Sequence, residues 1–464
     1  MNGSLLIYNA RLVDEATDSP GALLISGGRI QTVFIGDFSN RGKAVGCCKD
    51  GTAALYDACG LSLMPAFIDM HVHFRYPGLT EKEDLDTGLH AAVAGGYGTV
   101  VAMPNTKPVI SFSAQVAEVE KKAAEYGLAH LFQSASITNG FSGTDISHLD
   151  TLNAEQVPVI TEDGRDVANA AVMLAAMQKA AGKGIIVSCH CEDPSLAAAA
   201  RPYREKALGL MHRYGVPVKC GDSCGVPLPA SVDAEINDAL SEANRLLKLA
   251  EDTATERNLI LAQTAGCRIH IAHVSTEGSI EAVRRAKTAR PAGMVTCEVT
   301  PHHLALCGTG VPGLRAFVNP PLRSEKDRLA LLTALADGTA DVISTDHAPH
   351  TVSDKAAGAP GFSGLETAFA VCHTILAVRN KFSISQLSTL MSARAARLLH
   401  LNRGRLLPGY DADLILVSPG EKWKVESSVF ASKGKATPFE GSVLEGKVRM
   451  TIVHGEKVYG AGVL

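Results

Sequence analysis

The chain carries 16 histidines in 464 residues, enough that a single H-x-H triplet is weak evidence of any chemistry. His71-Val72-His73 gains weight from its setting. It closes the apolar run AFIDMHVHF at 66–74, which reads as a buried strand, and residues at i and i+2 of a strand point to one face. Other apolar runs end the same way. VPVIT is followed by Glu162 and Asp163, and GIIVSCH ends in His190. CRIHIAHVS carries His273, and ADVISTD ends in Asp346 with His347 and His350 close behind. Any one of these alone reads as a satisfied core residue. Gathered at one place they do not, because uncompensated titratable groups are costly to bury. Imidazole and carboxylate donors without thiolate suit zinc or a similar divalent ion. The donors His71, His73, Asp163, His190, His273 and Asp346 exceed the needs of one tetrahedral ion with an open position. They suit two ions sharing a carboxylate, the arrangement that activates water for hydrolysis. Cys189 and Cys191 have the opposite parity to the inward residues of their strand and read as packing, as does His270 beside His273.

Donors so far apart in sequence need a scaffold that brings strand ends together. Candidate strands fall at 66–74, 98–103, 129–137, 157–161, 184–190, 267–275, 293–300 and 340–346. Between them, segments such as VANAAVMLAAMQKAA and IEAVRRAKTA space their apolar residues three and four apart, as helices do. This alternation predicts an α/β fold, a (β/α)8 TIM-like barrel whose C-terminal mouth collects the strand ends. No G-x-G-x-x-G follows any strand, which argues against a doubly wound sheet. Both ends of the chain read instead as short strands broken by turns, with Gly27-Gly28 marking a hairpin. They predict a small β-sandwich domain built from residues 1–64 plus 405–464, beside a metal-binding catalytic barrel at 65–404. The crossover from His190 to Cys267 is long. AEINDALSEANRLLKLAEDTA within it is helical in period, and the 191–229 part is expected as an insertion above the mouth or a surface loop.

Composition excludes several classes of function. The formal net charge is −4 and Lys and Arg are not concentrated anywhere, so neither nucleic acid nor a membrane surface is an expected partner. No 18-residue apolar run is present, and the N-terminal segment lacks a basic region followed by an apolar stretch. Eleven cysteines, an odd number, read as reduced thiols of a cytoplasmic protein. Cys220 and Cys224 have no matching second pair, and adjacent Cys47 and Cys48 are expected as half-buried small apolar residues.

The motifs identify a resemblance. DMHVHFRYPG at 69–78 is similar to the opening motif of the amidohydrolase superfamily in its dihydroorotase form. AMPNT at 102–106, EVTPHHL at 298–304, NPPLR at 319–323 and TDHAPH at 345–350 follow in that family's order. The resemblance implies reversible, zinc-dependent interconversion of N-carbamoyl-L-aspartate and L-dihydroorotate in pyrimidine biosynthesis, with two zinc ions per chain. It assigns His71 and His73 to the first, more buried ion with Asp346 beside it, and His190 and His273 to the second. Hydantoinase and allantoinase relatives bridge the ions with a carboxylated lysine, but residues 157–166 (VPVITEDGRD) contain none. They resemble the Asp-Asp-Gly run of one dihydroorotase class, which makes Asp163 the expected bridge and Glu162 the alternative. Asp346 is implied as the proton shuttle. Arg75, Asn105 and His350 are implied to grip the substrate carboxylate, and Asn319 to contact the ring. One of His302 and His303 is expected to cap the site. Tyr76 stands where the family usually has an acidic residue, and the 351–364 loop looks compressed. A hydantoinase- or allantoinase-like enzyme and an inactive scaffold subunit are the alternatives. A homodimer is expected.

Overall fold

Parallel strands covered by helices on the outside are buried on both faces, and their sequences are continuously apolar. The computed structural model, which describes residues 4–46, 53–215, 228–308 and 317–460, has such strands at its centre. The N-terminal segment first forms β1 (Leu5–Val13), β2 (Asp18–Ser26), β3 (Arg29–Ile35), β4 (Ala54–Asp57) and β5 (Ser62–Pro65). The barrel strands follow as β6 (Phe67–Val72), β7 (Tyr97–Ala102), β8 (His130–Gln133) with its short continuation β9 (Ala135–Ser136), and β10 (Val159–Thr161). Then come β11 (Ile186–Cys189), β12 (Ile269–Ile271), β13 (Val295–Val299) and β14 (Val342–Ile343). Each pairs in parallel with the next, and a parallel bridge between Val72 and His347 joins the last strand's end to the first. The result is the (β/α)8 barrel.

Helices between the strands start where the sequence caps them. Asn169 accepts from the amides of Ala171 and Val172 to open Ala170–Ala181, and Thr276 accepts from Ser279 to open Glu277–Thr288. The long crossover is a helical pair, Pro194–Arg213 and the 36-residue Ala230–Ala265. Cys47, Cys48, Cys220 and Cys224 lie outside the described residues.

The chain ends supply the accessory β-sandwich. β15 (Leu414–Lys424), β16 (Val443–Val453) and β17 (Glu456–Gly460) join β1–β5 in one eight-stranded sheet, with β15 antiparallel to β5. The β2–β3 hairpin turns on Gly27 and Gly28, both at positive φ (57° and 73°), as a two-residue turn of this hand requires.

Except for β7, which is as long as its run but starts one residue earlier, the paired strands are shorter than the apolar runs that announce them. His73, His190, His273 and Asp346 stand one or more residues past the last paired position. In β6, Ile68 and Met70 pack in the barrel interior with Val159 and Ile186, so strict alternation would turn His71 away from it. The pairing of β6 with β7 shifts register between Asp69 and Val72. Such irregularities re-aim side chains next to active sites, and this one sends His71 to the mouth.

Candidate active site

Asp163, just past the end of β10, lies at the centre of the mouth. Its Oδ1 is 3.2 Å from His71 Nε2, 3.4 Å from His190 Nδ1 and 3.7 Å from His273 Nε2, and its Oδ2 is 3.4 Å from His73 Nε2. Asp346 Oδ1 is 3.2 Å from His73 Nε2 and 3.7 Å from His71 Nε2. All six donors picked from the sequence therefore meet in one place. Two groups have ligand atoms mutually within 4.8 Å, His71 with His73 and Asp346, and His71 with Asp163 and His273. His190 falls outside both. Its Nδ1 lies 2.9 Å from His273 Nε2, and its Nε2 lies 3.3 Å from Asn319 Nδ2.

The donor set fits divalent cations on its own chemistry. His71 Nε2 and His273 Nδ1 are buried without a hydrogen-bond partner, although Asp163 lies near the former. A buried polar atom left so is destabilising unless something unlike a protein donor satisfies it. Burial opposes the ionised form of Asp163, yet His71 and His73 outweigh it and hold the carboxyl well below its ordinary range. Burial likewise opposes a charge on His190, and Asp163 overcomes it, raising the imidazole to about 9. Asp346 is also held low against burial, by His73 and His71. Arg75, His273 and Asp346 have φ of 58°, 32° and 51°, conformations costing ~1–3 kcal/mol each that persist where the surroundings enforce them.

Behind these donors stands a buried carboxylate with a role that sequence reasoning missed. Glu298 of β13 receives hydrogen bonds from His71 Nδ1 at 2.7 Å, His270 Nε2 at 3.2 Å and the His273 amide at 3.2 Å. It fixes the ring of His71 so that Nε2 faces the mouth. The signal was present: a glutamate within the fully buried strand VTCEV is rare unless paired. His270, expected as packing, holds this glutamate. Cys189 and Cys191 are buried in the main apolar core, as expected.

The residues expected at the substrate share a cavity of about 200 Å³ with the donors, lined by Arg75, Asn105, Asn319 and His350 among others. Arg75 donates to Pro349 O at 3.4 Å and lies 3.3 Å from His350 Nε2. Burial, then the adjacent Arg75, push His350 down to about 3, so its ring is neutral at pH 7. Asn105 also reaches the donors: its Oδ1 is 3.0 Å from His73 Nδ1 and its Nδ2 donates to Asp163 Oδ2 at 3.1 Å. Asn319 donates to Glu192 at 2.8 Å. Glu162 turns away, accepting from the amide and hydroxyl of Thr138. His302 and His303 are not among the lining residues. His303 donates to Pro320 O and bonds the Thr300 hydroxyl, and His302 packs on the Phe362 ring. Tyr76 lies under the Lys122 ammonium.

Comparison with known proteins follows the same line. Residues 62–458 match the Amidohydrolase family. The chain is 36% identical over 456 residues to a dihydroorotase of Clostridium botulinum, covering 98% of this chain and 99% of that one. It is 36% identical over 466 residues to a dihydroorotase of Citrifermentans bemidjiense, covering 99% and 100%. Among solved structures, an L-hydantoinase (dihydropyrimidinase) from Arthrobacter aurescens superposes with a TM-score of 0.81 at 21% identity, over 100% of this chain and 97% of that one.

Proposed function

The chain belongs to the amidohydrolase family, and from that premise we propose that it is a dihydroorotase, opening L-dihydroorotate to N-carbamoyl-L-aspartate and closing it again. It is a cyclic amidohydrolase that acts on a small molecule, and no helix among the described residues is long and apolar enough to cross a membrane. One observation carries the substrate reading: the Arg75–His350 pair lines the same small cavity as the Asp163 cluster. A guanidinium beside a neutral imidazole suits a carboxylate, which dihydroorotate has and hydantoin lacks. Residues 65–404 form the catalytic unit in this reading, with residues 1–64 and 405–464 supporting it.

We assign His71, His73 and Asp346 to one zinc ion, His190 and His273 to a second, and Asp163 to both. Bound there, the ions would polarise the ring carbonyl and make water acidic enough to react near neutral pH. The chain's own groups do the rest. Arg75 and His350 hold the substrate carboxylate, and Asn319 faces the ring. Asp346 accepts a proton from the attacking water as its oxygen bonds the ring carbonyl carbon. It then delivers that proton to the ring nitrogen as the C–N bond breaks. In ring closure the same carboxyl removes the proton from the ureido nitrogen and returns it to the departing water. Asn105 and Glu298 keep His73 and His71 in the orientation this needs.

Asp163→Ala should lower bound zinc from about two per chain to one or fewer by elemental analysis, while Glu162→Gln leaves it unchanged. The reverse pattern would move the bridge to Glu162. The substrate reading is tested by comparing L-dihydroorotate with dihydrouracil and hydantoin under one set of conditions. A preference for dihydroorotate of at least about 100-fold in kcat/KM is expected. Equal or better turnover of hydantoin would overturn it.

A further inference from the structure

Lys355 is a buried cation outside the catalytic set. It sits in the short helix Val352–Ala356, and the residue is 1% exposed. Its ammonium donates to Phe317 O at 3.1 Å, Ala359 O at 2.8 Å and Gly361 O at 2.8 Å. An ammonium has three donors, and here each goes to a main-chain carbonyl. Burying a charge on such terms is costly, so the contacts it makes are informative.

Those carbonyls belong to two segments that wall the proposed substrate cavity. Pro360 and Gly361 line it directly, and Pro360 O accepts from His350 Nε2 at 2.8 Å. Phe317 begins the stretch that ends in Asn319, also in the lining, and Phe317 O accepts from the Gly361 amide at 2.9 Å. There is little slack between the segments. A Cβ on Gly361 would lie 2.7 Å from Ala348 Cβ. The crossover helix Pro194–Arg213 backs the same wall. Arg204 lies 4.5 Å over the Phe317 ring and 3.4 Å from Val318 O, and a Cβ on Gly358 would meet Leu208.

We propose that Lys355 is a positioning residue of the substrate cavity, its ammonium tying residues 317–319 to residues 359–361 so that Asn319 and His350 face the ring and its carboxylate. The inference rests on the dihydroorotase reading for the substrate and on geometry alone for the tie. Of the titratable or charged groups on the surrounding elements, those that contact these segments are Arg204 and His212 of the crossover helix, Lys82 (paired with Asp354), and His350 and Asp354 of its own segment. Burial first, and Arg204 second, lower the Lys355 pKa to about 7. Above that pH the neutral amine has two N–H donors for three carbonyls, and the tie loosens.

Lys355→Met removes the charge and keeps the bulk. The expected result is a KM for L-dihydroorotate raised about tenfold, kcat within about threefold of the parent, and unchanged zinc content. Amide exchange should accelerate at 317–319 and 359–361 and nowhere else in the barrel. Unchanged KM and unchanged exchange would overturn the proposal, as would loss of kcat together with zinc. If the variant does not fold, the parent enzyme decides: KM rising above pH 7 supports the tie, and KM flat from pH 6 to 9 overturns it. The exchange measurement needs no substrate. A chain that leaves dihydroorotate untouched would therefore overturn the substrate reading while exchange still judges the tie.

Discussion

Asp346→Asn should lower kcat for dihydroorotate by ~10³-fold or more, within the range that a positioned acid–base group contributes, while the protein stays folded. The substitution is well matched to the site. Asn keeps the size of the side chain and an oxygen that can accept from His73, now 3.2 Å from Asp346 Oδ1. It also tolerates the positive φ of 51° at this position better than most residues. What it lacks is a carboxylate that can take a proton from water and pass it to the ring nitrogen. In the native site Asp346 is ionised at neutral pH, because His73 and His71 outweigh burial in setting its pKa. The checking measurement is ultraviolet-monitored turnover in both directions beside thermal unfolding. Activity within tenfold of the parent would remove Asp346 from the proton path.

Arg75→Met should raise KM for L-dihydroorotate by about 100-fold and leave slow turnover of hydantoin within about threefold. A hydrogen bond to a charged group contributes ~1.5–3 kcal/mol, and ~2.7 kcal/mol corresponds to that factor. The residue stands on a backbone already at φ 58°, where Met is no more strained than Arg. Its removal also frees His350, since the neighbouring guanidinium helps burial keep that ring neutral. A variant that loses dihydroorotate and hydantoin turnover equally would mean that Arg75 supports the fold of the mouth and does not select the substrate.

The barrel and the meeting of the six candidate donors at its mouth were legible because two simple periodicities carry them. Buried parallel strands are continuously apolar, and chemistry-bearing residues stand out where each run stops. The limits of the runs were less legible. All but the run of β7 were read a little long; where donors stand at the ends they leave the ladder, with Arg75, His273 and Asp346 in left-handed conformations. Alternation also reached the right answer for His71 by an incomplete route. With Ile68 and Met70 facing the interior, it is the register shift between Asp69 and Val72 that turns His71 inward.

Contacts between side chains remote in sequence were not legible. His71 and Glu298 are 227 positions apart, and nothing local marks them as partners. Asn105, read as a substrate contact, lines the cavity and also bonds His73 and Asp163, contacts set by where β7 and β10 end in space. The hydroxyl and amide of Thr138 draw Glu162, the alternative bridge in the sequence, away from the cluster. His302 and His303 carry the right chemistry for the site but are spent on Phe362, Thr300 and Pro320.

A single titration decides whether two zinc ions at the Asp163 cluster drive dihydroorotate turnover. Protein stripped of metal by a chelator is given zinc in measured equivalents, and turnover of L-dihydroorotate is followed at each addition. Negligible activity is expected without zinc, full activity near two equivalents per chain, and hydantoin remains a poor substrate throughout. Full turnover in the stripped protein, or zinc binding that never produces turnover of dihydroorotate, would contradict the two-zinc assignment.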